Sequence, residues 1–260
     1  MVVGPRRALL GGRGGCAQSI AFIAREITAG STPDVIHKNA DTAFICGLVN
    51  TQSTAGGSLF SRFDLLLVFA AQNSVVALLN MANSTYTVTA ANSPTFTVDR
   101  GFTGNSGTAS LSTNFNPATA ISPNFTQNNA HISGWNLTNG SSNVAQIVNG
   151  ATIDIFPKYG DNNFYSRVND SSAGLTISTP TGLLIGNRDS STTRQAYQNG
   201  TSLGSYGTVS SVAVNNANFS ALSSNNQQLA AMSAGASLSV TDQLNFYQLL
   251  RSRMTAVGVP

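Results

Sequence analysis

Gln195-Ala196-Tyr197-Gln198-Asn199-Gly200-Thr201-Ser202-Leu203 sets Asn-Gly between two short alternating runs. Both turn residues tolerate positive φ, which a two-residue hairpin with the twist of its flanking strands demands, so two antiparallel strands meet here. Outward from this hairpin, short apolar runs recur from Ser61 onward at intervals of roughly 8–12 residues, separated by Gly, Asn, Pro and Ser. That rhythm belongs to an all-β sandwich or barrel. Tyr86, Val88 and Ala90 share one face of an alternating run, as do Phe96 and Val98, then Ala109, Leu111, Thr113 and Phe115, then Ile153 and Ile155, then Leu175, Ile177 and Thr179. Between Ile132 and Trp135 the phase slips, and a bulge at Gly134 would return both to one buried face. The end of the chain differs. Ser239 is an N-cap with the Asp242 carboxylate three residues on, and Val240, Leu244, Tyr247, Leu250, Met254 and Val257 form the apolar side of a helix over about 240–257, stopped by Gly258 and Pro260.

Residues 1–60 break this rhythm and read as an arm ahead of a 61–260 domain. Ile20, Ile23, Ala24 and Ile27 fall at i, i+3, i+4 and i+7, one stripe of a short amphipathic helix, behind a leader carrying Arg6, Arg7 and Arg13. Such a stripe needs a surface to lie on. Arg6, Arg7, Arg13, Ile20, Ile23 and Ile27 are therefore the candidates for docking, whether onto the chain's own main domain, another copy of the chain or another protein, with an assembly role expected. Arg6-Arg7-Ala8-Leu9-Leu10 begins like an export signal, but Gly11-Gly12-Arg13 cuts its apolar run short. The longest apolar stretch, Leu65 to Ala71, is too short for a bilayer, so no membrane insertion is expected.

Composition narrows the chemistry. Only 9% of residues are charged, against roughly 25% in ordinary soluble domains, and Asn, Ser, Thr and Gly fill the polar positions. A neutral, short-chained surface suits packing among subunits or contact with neutral glycans, because few ions lose water on contact. The net charge of +3 is too small to neutralise the roughly 6–10 phosphates of a committed nucleic-acid binder. At this length a core needs no staples, so Cys16 and Cys46 are expected as free thiols. Isolated His37 and His131 support neither a metal cluster nor a nucleophilic pair, and no cofactor is expected. The lone glutamate, Glu26, lies outside every segment that reads as core.

The stretch from Phe63 to Pro117 (FDLLLVFAAQNSVVALLN, then SPTFTVDRGFTGNSGTASLSTNFNP) resembles proteins of tailed bacteriophages and prophages in which a similar run opens a jelly-roll domain. Gly182-Leu183-Leu184-Ile185-Gly186-Asn187-Arg188-Asp189, followed by Tyr197-Gln198-Asn199-Gly200, resembles the paired strands and hairpin of concanavalin A-like or laminin-G-like sandwiches. Leu229 to Leu238 fits the final strand that leads into the closing helix. The resemblance covers about 200 residues, leaves out the arm, and implies a concanavalin A-like jelly-roll antiparallel β-sandwich on a virion, made in the host cytoplasm. It implies capsid, portal or tail proteins and copies of itself as partners, but no particular ligand.

Sugar recognition asks for aromatic faces beside amides and hydroxyls. Tyr159, Asp161, Asn162, Asn163, Tyr165, Arg188, Asp189 and Tyr197 sit near expected turns and are the candidates for binding a host surface polysaccharide. Asp161, Asn162, Asn163 and Asp170 only faintly echo a calcium-lectin loop, so no metal site is expected. Two alternatives stand beside the glycan binder. One is a capsid decoration or cement protein with no ligand beyond its neighbours. The other, a polysaccharide-cleaving enzyme, would need a carboxylate pair about 5–9 Å apart. No two of Asp154, Asp161, Asp170 and Asp189 are spaced to share a strand face, which argues against catalysis.

Overall fold

The computed structural model describes residues 14–171 and 174–260. The described strands, in chain order, are β1 (Phe63–Val68), β2 (Thr89–Ala91), β3 (Thr95–Thr97), β4 (Gly101–Thr103), β5 (Ser110–Ser112), β6 (Ala130–Asn136), β7 (Ile147–Val148), β8 (Ile153–Phe156), β9 (Asn163–Val168), β10 (Leu175–Thr176), β11 (Gly182–Arg188), β12 (Thr193–Gln198), β13 (Thr201–Thr208), β14 (Ser220–Ala221) and β15 (Gln228–Gly235). The helices are α1 (Ala17–Thr28), α2 (Val35–Asn50), the single turn α3 (Ser74–Ala77) and α4 (Val240–Ala256). All the strand pairs are antiparallel. One sheet runs β13-β12-β11-β6-β15-β4-β3, with β1 also on β15, and the other runs β10-β9-β8-β7-β14-β5-β2.

The expected hairpin is present, with Gln198 opposite Thr201 and both Asn199 and Gly200 at positive φ. The closing helix opens on the expected capping box of Ser239 and Asp242. Most alternations hold: Ala109, Leu111, Thr113 and Phe115 are fully buried, as are Ile153 and Ile155. The run around Val88 does not alternate as expected, because β2 is exposed along its length, and Val98 is 55% exposed beside a turn.

No bulge falls at Gly134. Strand β6 is regular there, and every residue from Ala130 to Asn136 is buried because both faces of the sheet are covered. Ile132 and Gly134 face the second sheet, where a Cβ at position 134 would come within 2.9 Å of Ile147 Cδ1. Trp135 faces the other way, stacked on Tyr247 of α4 with ring centroids 6.2 Å apart. The register shift lies instead in the partner strand, between Leu229 and Ala231. The molecule is thus layered as helices, first sheet, second sheet.

The helical layer contains what reads as the arm. α1 buries Ser19, Phe22 and Glu26, whereas Ile20 and Ile27 of the anticipated stripe are each 59% exposed. The buried face is rotated away from Ile20 and Ile27, with Ile23 left half-buried at its edge, because Phe22 inserts into a core shared with Phe44, Ile45 and Leu48 of α2 and with both sheets. Arg6, Arg7 and Arg13 lie outside the described residues. On α4 the covered side runs Gln243, Phe246, Leu250 and Met254, leaving Val240 and Leu244 largely exposed.

Cys16 and Cys46 form a disulfide that joins the N-cap of α1 to α2, so the expectation of free thiols fails. Size alone removes the need for a staple in the sandwich, but not in a helical pair at its edge. Glu26 is likewise buried, beside the ion pair of Asp41 with Arg253, whose Nε to Oδ1 distance is 2.9 Å. His37 bridges α2 to the turn before β4, with Nδ1 2.7 Å from Asp34 and Nε2 2.7 Å from Asp99. His131 is fully buried between Ala236 and Ser233, and burial lowers its pKa to about 4, so it is neutral and structural at neutral pH.

Candidate functional site

The outer face of the second sheet carries a cluster built by strand register. Along β9, Phe164, Ser166 and Val168 point inward, which turns Asn163, Tyr165 and Arg167 toward solvent. Along β8 the inward Ile153 and Ile155 place Asp154 and Phe156 on the same outer face, where they pair across the ladder with Arg167 and Tyr165. Tyr159 enters from the connecting turn. The three rings meet edge to face, with centroids 5.5 Å apart for Phe156–Tyr159 and for Tyr159–Tyr165, and 6.2 Å for Phe156–Tyr165. That is the arrangement their quadrupoles favour.

The turn is held by its own side chains. Asn162 takes a positive φ, Tyr159 N–H donates to the Asn163 carbonyl, and Asp161 accepts from Asn163 N–H at 3.0 Å. The second Asp161 oxygen accepts from Asn163 Nδ2 and from the Tyr165 hydroxyl, at 3.0 and 2.8 Å. The Tyr165 hydrogen bond holds the Asp161 carboxyl below its usual range and raises the Tyr165 phenol, since the bond favours anionic aspartate beside protonated tyrosine. A depression of about 290 Å³ is lined by Asn143, Phe156, Tyr159, Tyr165 and Arg167. Asn143 reaches it because residue 160 is glycine: a Cβ there would sit 2.8 Å from Asn143 Oδ1.

Asp154 and Arg167 form the base of the cluster. Arg167 grips Asp154 through both Nε and Nη2, and its guanidinium lies 5.6 Å from the Phe156 ring centroid. Burial raises the Asp154 carboxyl while Arg167 opposes that rise. A carboxylate committed to an arginine in this way is a poor free acid, and the site presents ring faces, amides and a hydroxyl rather than an acid–base pair.

Of the eight sequence candidates, Tyr159, Asp161, Asn162, Asn163 and Tyr165 come together here. Arg188 and Tyr197 do not, because both are buried. Arg188 donates to Asp170 at 2.7 Å and to the Val168 carbonyl at 2.6 Å, and Arg194 meets the other Asp170 oxygen at 3.0 Å, a clamp between the two sheets. Asp170 is therefore unavailable to any cation, and among the described residues no group of three or more His, Cys, Asp or Glu is placed to hold a metal. The Tyr197 hydroxyl is turned to Gln195. Asp189 is exposed in a separate corner with Arg62 and Asp242. Asn143, Asp154, Phe156 and Arg167 were not among the candidates, although the inward Ile153 and Ile155 already imply outward Asp154 and Phe156.

No protein-family model matches the chain, and no curated protein matches it. Solved structures do. The binding domain of Paraclostridial Mosquitocidal Protein 1 superposes with a TM-score of 0.57 at 12% identity, over 73% of this chain and 52% of that one. The fold is a jelly-roll antiparallel β-sandwich. The botulinum neurotoxin serotype D binding domain gives 0.52 at 14% identity over 73% and 52%, and the receptor binding domain of botulinum neurotoxin D gives 0.52 at 15% over 74% and 53%. The chain thus spans about half the length of these proteins, and at such identity the likeness is one of fold. Within this jelly roll the aromatic cluster occupies the outer face of the sheet remote from the helices. Among the described residues, no helix is long and apolar enough to cross a membrane.

Proposed function

We propose that this chain is a glycan-binding module displayed on a tailed-phage particle, with the outward cluster of Phe156, Tyr159 and Tyr165 as its sugar platform. The observation that carries the glycan part is this cluster: three rings on a solvent-facing strand pair, flanked by the Asn143 amide and the Asp161–Asn163 turn, around a depression large enough for a sugar ring. The low charge density of the chain and the lectin-like fold support it. The particle setting is supported by the phage-like stretch from Phe63 to Pro117 and by the exposed isoleucines of α1, which offer neighbouring virion proteins an apolar contact. Each site alone would be weak, and display in many copies would raise avidity by about 10²–10⁴.

The first test is a glycan array with the wild-type chain and the Tyr159→Ala and Tyr165→Ala variants, followed by titration of any hit. Binding at least about tenfold weaker in both variants, roughly 1.4 kcal/mol, is expected. Equal binding by folded variants would remove the site. A blank array, together with hundreds of copies per purified particle by quantitative mass spectrometry, would favour a cement protein without a glycan ligand. Absence from particles would refute the virion setting.

A further inference from the structure

A second cleft opens on the helix side of the first sheet, between the end of β6 and α4. It encloses about 370 Å³ and is lined by Trp135, Leu137, Thr181, Gly182, Asn199, Tyr247, Arg251 and Pro260. Tyr247 and Arg251 lie four residues apart on one face of α4. The Tyr247 ring is nearly parallel to Trp135, at 15°, and the Arg251 guanidinium stands 5.9 Å from the Trp135 centroid.

Donors predominate in this cleft, although the Thr181 and Tyr247 hydroxyls can also accept. Trp135 Nε1–H is buried with no acceptor. Arg251 belongs to none of the ion pairs among the described residues. Asn199 uses its Oδ1 to accept from Leu183 N–H at 2.9 Å, which leaves its amide protons as its contribution to the cleft. No carboxylate side chain lines the space. An arginine without a counterion, next to a buried N–H without an acceptor, favours an anion that brings several acceptor oxygens. The neighbouring tyrosine face favours a ring attached to that anion.

We infer that this cleft is a second ligand site, for a carboxylate-bearing sugar, with the ring against Tyr247 and the acid group on Arg251. It lies on the opposite side of the sandwich from the Tyr159–Tyr165 cluster and does not depend on that site. Together the two sites would let one copy hold an acidic polysaccharide at two places.

Trp135 is the only tryptophan in the chain, so its fluorescence reports on this cleft alone. The full chain is titrated with a tetrasaccharide of alternating glucuronic acid and N-acetylglucosamine, and separately with neutral chitotetraose. A saturable emission change with the acidic probe only is expected, weaker at higher salt. In Arg251→Gln the apparent Kd should rise about tenfold or more, Arg251→Lys should keep part of the affinity, and Tyr165→Ala should leave this response unchanged. An equal response to the neutral probe, no response to either, or an unchanged titration in Arg251→Gln would overturn the proposal. Arg251 is partly exposed on the helix surface and bears no fold-defining ion pair, so its variants stay folded.

Discussion

Glu26 shows how one buried carboxyl can set the pH response of a protein with so few charges. It is only 1% exposed, and its Oε1 has no hydrogen-bond partner. Burial, reinforced by the like charge of Asp41 and opposed by Arg253 and Arg25, raises its pKa from 4.5 to about 8. Between these values the folded chain holds a proton that the unfolded chain has released, so stability is greatest below the window and falls as pH climbs through it. Denaturant melts at pH 5 and pH 9 should show this loss in the wild type and little of it in Glu26→Gln, which should be the more stable at pH 9 by about 2 kcal/mol once solvent screening is allowed for. A wild type equally stable at both pH values would contradict the assignment. Asp170→Asn leaves Arg188 and Arg194 facing each other with their shared anion removed, and should cost about 3–5 kcal/mol, read as a large drop in denaturation midpoint. Neither role shows in sequence, since nothing in the spacing of Glu26 or Arg188 distinguishes a buried ion from a surface one.

At the scale of elements, the legible features were those fixed by local chemistry. The Asn199-Gly200 turn and the Ser239 capping box need only neighbouring residues, and both stand as expected. The face of α1 was misjudged because α2 and the sandwich core, not the isoleucine stripe, decide which side is covered. The same limit applies to the aromatic site. Tyr159, Asp161 and Tyr165 sit on one turn and could be grouped from sequence, whereas Phe156 and Arg167 join them only through the β8–β9 register. Close approach of elements is also testable: a Cβ at Gly186 would lie 2.6 Å from Ser166 Cβ and 2.9 Å from its carbonyl oxygen across the sandwich. Gly186→Ala should therefore destabilise by about 1–3 kcal/mol through separation of β11 from β9, visible as a lowered Tm, and an unchanged Tm would show that the sheets yield there without cost.

For the whole molecule, the three-layer order assigns different work to its two sides: the second sheet leaves its outer face to the aromatic cluster, and the helices cover the first. The disulfide belongs to the helical side, where chain length gives no sign of it, because length bears on the total core rather than on how well one edge is anchored. Cys46→Ser should cost about 3–4 kcal/mol by releasing a loop of 30 residues, with a comparable loss for the wild type in reductant. Equal melting with and without reductant would mean that packing of Phe22 and Phe44 suffices. The bridge has a mechanical consequence too. Because Cys16 caps the start of α1, tension applied to the chain upstream crosses the sulfurs into α2 and never loads the hydrogen bonds of α1. From Cys46 the load passes along the last turn of α2 and through Leu48 into the core. Any partner that tugged on this segment would be pulling on the sandwich itself.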